Sequence, residues 1–231
     1  IEAAFKSNIK RLIFLGSSCI YPKFSKQPIK EEYLLEGQLE ATNEYYAIAK
    51  IAGIKLCEAL NLQYGFDSIS LMPTNLYGPG DNYKPYESHV MAALIKKFSD
   101  AKRTNSPSVT CWGTGSPLRE FLHVDDLSDA VIFCLKNWDP KNHNSPTYSD
   151  GSPLYHLNVG TGKDLSIKEL ALMIASLTNY KGEIIWDKSK PDGTPQKKLD
   201  VSRINKLGWK HKIKLKDGIK QTIINYEEIY K

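Results

Sequence analysis

Two groups of residues in this chain carry side chains suited to moving protons. Ser17, Ser18 and Cys19 follow directly on an apolar run closed by Gly16, and Tyr46 and Lys50 stand four residues apart in a stretch of helical pattern. At that spacing a tyrosine and a lysine share one face of a helix. An ammonium beside a phenol favours the phenolate, which makes the tyrosine a usable acid or base. A serine at the neighbouring strand end could hold a carbonyl oxygen beside the phenol, or it could simply cap a turn. In a chain so rich in tyrosine and lysine the bare spacing is weak, so the elements around the pair must supply the context.

Those elements read as alternating strands and helices. Residues 1–8 resemble the tail of a helix, and residues 11–15 (RLIFL) suit a buried strand of a parallel sheet. Asn43, with Glu44 beside it, is a candidate N-cap for a helix over residues 46–63. Residues 68–72 (SISLM) read as the next strand, stopped at Pro73, and residues 77–80 as a turn-rich loop. A helix is expected over 88–101, strands at 109–112 and 121–124, and a helix capped by Asp125 or Asp126 running to about Asn137. Residues 138–153, rich in Pro, Asn and Ser, read as an exposed loop. After them come a strand at 154–159, a helix at 166–177 capped by Ser166, a strand at 183–186 and a closing helix at 216–230. This order predicts an α/β protein built on a doubly wound parallel sheet, with ligands beyond the carboxyl ends of the strands. Residues 16–19 and 73–76 occupy such ends. Shorter elements later in the chain predict a smaller lobe, dividing the protein into residues 1–105 and 106–231.

Composition narrows the function classes. The 231 residues are 41% hydrophobic, enough for a sizeable core. No stretch reaches the roughly 20 apolar residues that cross a bilayer, and the start lacks a signal-peptide layout. A cytoplasmic protein without membrane contact is expected. The four cysteines, Cys19, Cys57, Cys111 and Cys134, lie far apart with no zinc-like spacing, so reduced thiols and no metal are expected. A net charge of +5 suits an acidic ligand such as a nucleotide diphosphate. The lysines are spread along the chain and crowd only near its end, which argues against nucleic acid. No G-x-G-x-x-G run is present.

Longer strings narrow the field further. Residues 13–22 (IFLGSSCIYP), 43–58 (NEYYAIAKIAGIKLCE), 72–83 (MPTNLYGPGDNY), 88–98 (SHVMAALIKKF) and 112–126 (WGTGSPLREFLHVDD), with NVGTG at 158–162 and KPDGTP at 190–195, cover nearly the whole chain. Together they resemble the GDP-L-fucose synthases, a family of extended short-chain dehydrogenase/reductases.

The resemblance implies the C-terminal part of a Rossmann-type sheet plus a smaller α/β substrate-binding lobe. The glycine-rich half-sheet, three βα units of about 30 residues each or roughly 90 in all, would precede Ile1. It implies 3,5-epimerisation of GDP-4-keto-6-deoxy-D-mannose followed by NADPH-dependent reduction of the 4-keto group. Ser17, Tyr46 and Lys50 become the reductase triad, with Tyr46 as proton donor, Lys50 tuning it and holding the nicotinamide ribose, and Ser17 steadying the oxygen. Cys19 becomes the base and His89 the acid of epimerisation, where by residue type alone a packed thiol and a helix cap are the ordinary readings. NADP(H) contacts are implied at Leu15, Gly16, Ser17, Ser18, Lys50, Pro73, Thr74, Asn75, Leu76 and His89. Substrate contacts fall on Lys97, Trp112, Arg119 and Asp192. Many relatives have Arg at the position of Lys97, and a lysine there does not grip phosphate bidentately. Arg119 could instead pair with Glu120 or Asp125, and the NVGTG glycines read as structural. A homodimer through the Tyr46 helix is implied. Other nucleotide-sugar epimerases and reductases, or an inactive nucleotide-sugar-binding fragment, are the alternatives.

Overall fold

The computed structural model describes residues 1–85 and 87–230. The chain begins with helix α1 (Glu2–Lys6), strand β1 (Leu12–Leu15) and a long helix α2 (Glu44–Tyr64). Strands β2 (Ser68–Pro73) and β3 (Asn75–Tyr77) follow, then helix α3 (Val90–Arg103), strands β4 (Ser108–Trp112) and β5 (Leu118–His123), and helix α4 (Val124–Asn137). The rest comprises β6 (His156–Val159), β7 (Asp164–Ser166), α5 (Ile167–Leu177), β8 (Glu183–Asp187), β9 (Gln196–Lys197), α6 (Ser202–Lys206) and α7 (Leu215–Ile229).

The expected parallel sheet is present. β2 lies between β1 and β6 and pairs in parallel with both, with Leu71 opposite Leu15 on one side and Leu157 on the other. Every residue of β2 is buried, which is why it reads as a continuous apolar run. A second sheet joins β3, β5, β7 and β9, and β4 pairs in parallel with β8.

Two apolar cores follow from this topology. One gathers Ile54, Ile69, Leu71, Leu122, Trp138 and Leu157 around the β1–β2–β6 sheet, and the other gathers Met91, Phe98, Val109, Phe121, Ile174 and Ile223 around α3, α5 and α7. Fully burying a side chain such as Phe98 or Leu157 is worth about 1.5–3 kcal/mol. The cores interleave along the sequence, because β6, α4 and α6 return to the first core after β4 has entered the second. A single boundary near residue 105 therefore divides neither core from the other.

Local expectations differ from the structure at two helix starts. Asn43 precedes α2 but its side chain makes no capping bond. Helix α4 begins earlier than Asp125, and its cap is His123, whose Nδ1 accepts the Asp125 N–H at 3.2 Å. Asp126 instead turns inward and accepts the N–H groups of Lys212 and Ile213, both at 3.0 Å. Ser166 does cap α5, in a capping box with Glu169.

Candidate active site

Strand β1 delivers its end to the site through a close backbone approach. Gly16 donates to the Leu71 carbonyl at 2.8 Å, extending the ladder one residue past the strand. A Cβ on Gly16 would overlap the Met72 sulfur, so any larger residue there would force the buried Met72 side chain to shift. Ser17 is extended, and its Oγ accepts the Cys19 N–H at 3.2 Å, capping the 3-10 turn Ser18–Ile20. The turn-capping alternative is thus realised at Ser17. A hydroxyl has two acceptor lone pairs and one donor, so this cap leaves its proton available to a ligand. Ser18 is buried, and Cys19 is a half-buried free thiol.

Helix α2 brings the second group alongside. Lys50 Nζ donates to the Leu15 carbonyl at 2.8 Å and stands 5.7 Å from the centre of the Tyr46 ring and 5.2 Å from that of Phe14. Tyr46 remains half exposed beside it. The pair is therefore tied to the strand end and is not a surface contact isolated on its helix. The helix closes on Gly65, whose φ of 70° turns the chain so that the next N–H, that of Phe66, reaches back to the Leu60 carbonyl at 3.3 Å.

The thiol has partners that sequence spacing did not suggest. Lys197 Nζ lies 3.5 Å from Cys19 Sγ across 178 positions of sequence. Arg119 stands opposite Lys197 in the parallel β5–β9 pair, and its guanidinium also feels Cys19, Asp192 and Glu40. Burial pushes the Arg119 pKa below its ordinary value, and those three negative or potentially negative groups oppose the fall. The expected alternative of an ion pair between Arg119 and Glu120 or Asp125 is absent among the described residues. Glu120 is fully buried and accepts N–H groups from Thr161, Gly162 and Leu199 at 2.5, 2.7 and 2.7 Å. The NVGTG turn thus wraps an internal carboxylate, as its structural reading requires. A small cleft beside the thiol is lined by Cys19, Tyr21, Glu40, Thr194 and Lys197.

The remaining candidates lie around this centre. Pro73 ends β2, and the side chains of Thr74 and Asn75 donate to the Glu120 carbonyl at 3.2 and 2.7 Å, which pins β3 to β5. Leu76 packs against the first core. At the end of β4, Trp112 has the Lys97 and Lys190 ammonium groups 5.4 and 5.7 Å from its ring centre. Lys97 also donates to the Thr110 carbonyl at 2.8 Å, so it is not merely a solvated cation. Asp192 accepts the N–H and hydroxyl of Thr114, each at 2.7 Å, and these bonds hold its carboxyl below the usual range. His89 caps α3 by position only, with an exposed ring that makes no capping bond and faces the half-buried Asp81 carboxyl. Among the described residues His89 makes no hydrogen bond or ion pair with Ser17, Cys19 or Tyr46. No group of three or more His, Cys, Asp or Glu among the described residues is placed to hold a metal ion, and no described helix is long and apolar enough to cross a membrane.

A parallel sheet with a Tyr/Lys helix at one strand end defines a class of nucleotide-handling α/β proteins. The NAD dependent epimerase/dehydratase family model matches residues 1–149, and the chain belongs to that family. Within it, the chain is 54% identical over 222 residues to the GDP-L-fucose synthase of Escherichia coli K12, covering 96% of this chain and 68% of that protein. A crystal structure of a GDP-6-OMe-4-keto-L-xylo-heptose reductase from C. jejuni superposes with a TM-score of 0.90 at 39% identity, covering 99% of this chain and 73% of that one. A GDP-mannoheptose C4 reductase from Campylobacter jejuni with NADP bound superposes with a TM-score of 0.85 at 40% identity, covering 98% and 70%. The chain spans between 65% and 68% of the length of the first four curated relatives it matches.

Proposed function

We propose that this chain carries the catalytic part of a GDP-L-fucose synthase, which epimerises C3 and C5 of GDP-4-keto-6-deoxy-D-mannose and then reduces its 4-keto group with NADPH. The observation that supports this most is the junction at the end of β1. Lys50 binds the Leu15 carbonyl beside Tyr46, while Cys19, two residues past Ser17, faces Lys197 and Arg119.

The strand ends fit the nicotinamide half of a dinucleotide, because Leu15 is exposed where β1 stops and a fixed ammonium and a half-exposed phenol stand beside it. Leu15, Gly16, Ser17, Ser18, Lys50 and residues 73–76, with His89, would hold NADPH, which supplies hydride when bound. Tyr46 gives its proton to the ketone oxygen, and the Lys50 charge favours the phenolate left behind. The Ser17 hydroxyl donates to the same oxygen. In epimerisation the Cys19 thiolate takes a C–H proton beside the ketone and becomes S–H. The electron pair moves onto the oxygen, and the His89 imidazolium returns a proton to the opposite face. Both groups then reset by exchange with water. A C–H beside a ketone becomes acidic only when donors stabilise the developing oxyanion, which is the task of Ser17 and Tyr46.

Lys97, Trp112, Arg119 and Asp192 hold the GDP-sugar in this reading. The first core is assigned to the cofactor and the second to the substrate. We place the enzyme in the cytoplasm as a homodimer formed through α2, whose outward face carries Tyr45, Ile48 and Leu56 at helical spacing. Sedimentation of the full-length protein tests the dimer.

A reductase of another GDP-sugar is the second reading, favoured by the C. jejuni neighbours. The deciding experiment gives the full-length protein GDP-4-keto-6-deoxy-D-mannose and NADPH in D2O. Expected are NADPH consumption, GDP-L-fucose by NMR, and deuterium at C3 and C5. Reduction without deuterium at those carbons would favour the second reading.

A further inference from the structure

We propose that Lys197 is a positioning residue for proton abstraction: its ammonium, with Arg119 beside it, stabilises the Cys19 thiolate. The inference rests on the proposed epimerisation for its purpose, although its physical content is local to the thiol.

Three features of the fold aim this lysine. β9 alternates, so Gln196 and Lys198 turn to one side and share Asp164, by a hydrogen bond of 2.6 Å and an ion pair of 3.7 Å, while Lys197 points to the other side and reaches Cys19 Sγ. Lys197 is paired with Arg119 in parallel register, which sets two cationic side chains side by side on the same face. The strand is held in place by the buried Glu120 carboxylate, which accepts the Leu199 N–H just beyond it. The third group of charges comes from the loop before α2, where Glu40 and Lys23 form an ion pair at 3.0 Å and line the same cleft. Asp192 also acts on Arg119 and is already engaged by Thr114. The thiol thus faces two cations, while the Glu40 and Asp192 carboxylates are engaged by Lys23 and Thr114.

The thiolate is the reactive form of cysteine toward carbon electrophiles and the form that can act as a base. Cys57, Cys111 and Cys134 are buried, so among the cysteines of this chain Cys19 is the one open to alkylation in the native protein. Iodoacetamide is added to the full-length protein at pH 7, and labelling is followed on the Cys19 peptide by mass spectrometry. Lys197→Met is expected to slow labelling about tenfold, as loss of one nearby opposite charge implies. Lys197→Arg should restore most of the rate, which a purely steric role would not do. Equal labelling of wild type and Lys197→Met would overturn the assignment.

Should Lys197→Met fail to fold, the wild type still decides. Anionic iodoacetate should label Cys19 faster, relative to neutral iodoacetamide, than it labels free glutathione. A ratio no higher than that of glutathione overturns the proposal. Failure of the proposed reaction is separate: a protein that does not turn over the GDP-sugar but shows lysine-dependent labelling loses the function and keeps the thiolate device. Deuterium uptake with lysine-independent labelling does the reverse.

Discussion

Tyr46 and Lys50 illustrate what a residue type can and cannot say. Their spacing fixes only a shared helix face, and the decisive fact is the 2.8 Å bond from Lys50 to the Leu15 carbonyl, which brings the ammonium to the strand end. Tyr46→Phe keeps the ring and removes the proton. We expect reduction by the full-length protein to fall about 10²–10⁴-fold, the usual span for general acid catalysis, with deuterium exchange at C3 and C5 reduced less. Stopped-flow NADPH oxidation measures the first and NMR the second, and unchanged hydride transfer would exclude Tyr46 as the acid. Ser17 and Cys19 follow a strand in immediate sequence, which places them at its carboxyl end, but by residue type alone they read as a turn cap and a packed thiol, and only the resemblance implies roles for them. Lys197 was not legible. It is an ordinary lysine in a lysine-rich C-terminal half, and only the β5–β9 register turns it toward a thiol 178 positions away.

At the scale of elements, α2 packs so closely on β1 that glycine is favoured at its middle. A Cβ on Gly53 would enter the space of the Phe14 ring, which is itself wedged beneath Lys50. Alanine in a helix interior ordinarily gains about 1 kcal/mol over glycine. Overpacking typically costs about 1–3 kcal/mol. Because that Cβ would come within 2.3 Å of the ring, which must shift to admit it, the second effect should win, and Gly53→Ala should destabilise by about 1 kcal/mol in urea titration; a stabilised variant would contradict this close packing. The elements themselves were largely readable from periodicity, because buried strands such as β2 and amphipathic helices such as α3 and α5 leave clear apolar patterns. The α4 cap was misread because Asp125 and Asp126 are stronger capping types than histidine, whereas burial of Asp126 against the Lys212 and Ile213 amides is a tertiary demand. Residues 20–40 gave no pattern, yet Ile20, Tyr21 and Ile29 are core. Their burial depends on partners far along the chain.

Across the whole molecule, those distant partners form a polar clasp that fixes the 20–40 segment to β6 and α6. Glu31, 1% exposed, accepts the Asn158 N–H at 3.0 Å and an Arg203 bond at 2.6 Å, while Arg203 also grips Glu32. Tyr21 donates to Asn158 Oδ1 at 2.6 Å, so the clasp continues to the wall of the Cys19 cleft. Beneath it, His156 Nε2 faces the Glu31 carbonyl at 3.3 Å. A carbonyl only accepts, so Nε2 carries the hydrogen and Nδ1 is left to accept from Tyr148, 3.5 Å away. Burial, aided by the charges of Lys55 and Arg203, lowers the His156 pKa to about 4. An unfolded histidine takes up its proton near pH 6.5, so the folded state, which refuses that proton, loses stability as pH falls from about 6.5 toward 4. At pH 5 this amounts to about 2 kcal/mol relative to neutral pH. Glu31 and Glu120, whose pKa values burial raises, act in the opposite sense: the folded state binds their protons more readily, which favours folding as pH falls. The histidine contribution is therefore isolated by difference. His156→Gln should be less stable than wild type at pH 7, through loss of its hydrogen bonds and packing, but its urea midpoint should fall less between pH 7 and pH 5. Parallel pH dependences in the two proteins would show that protonation of His156 does not limit how long the clasp holds the cleft wall in acid.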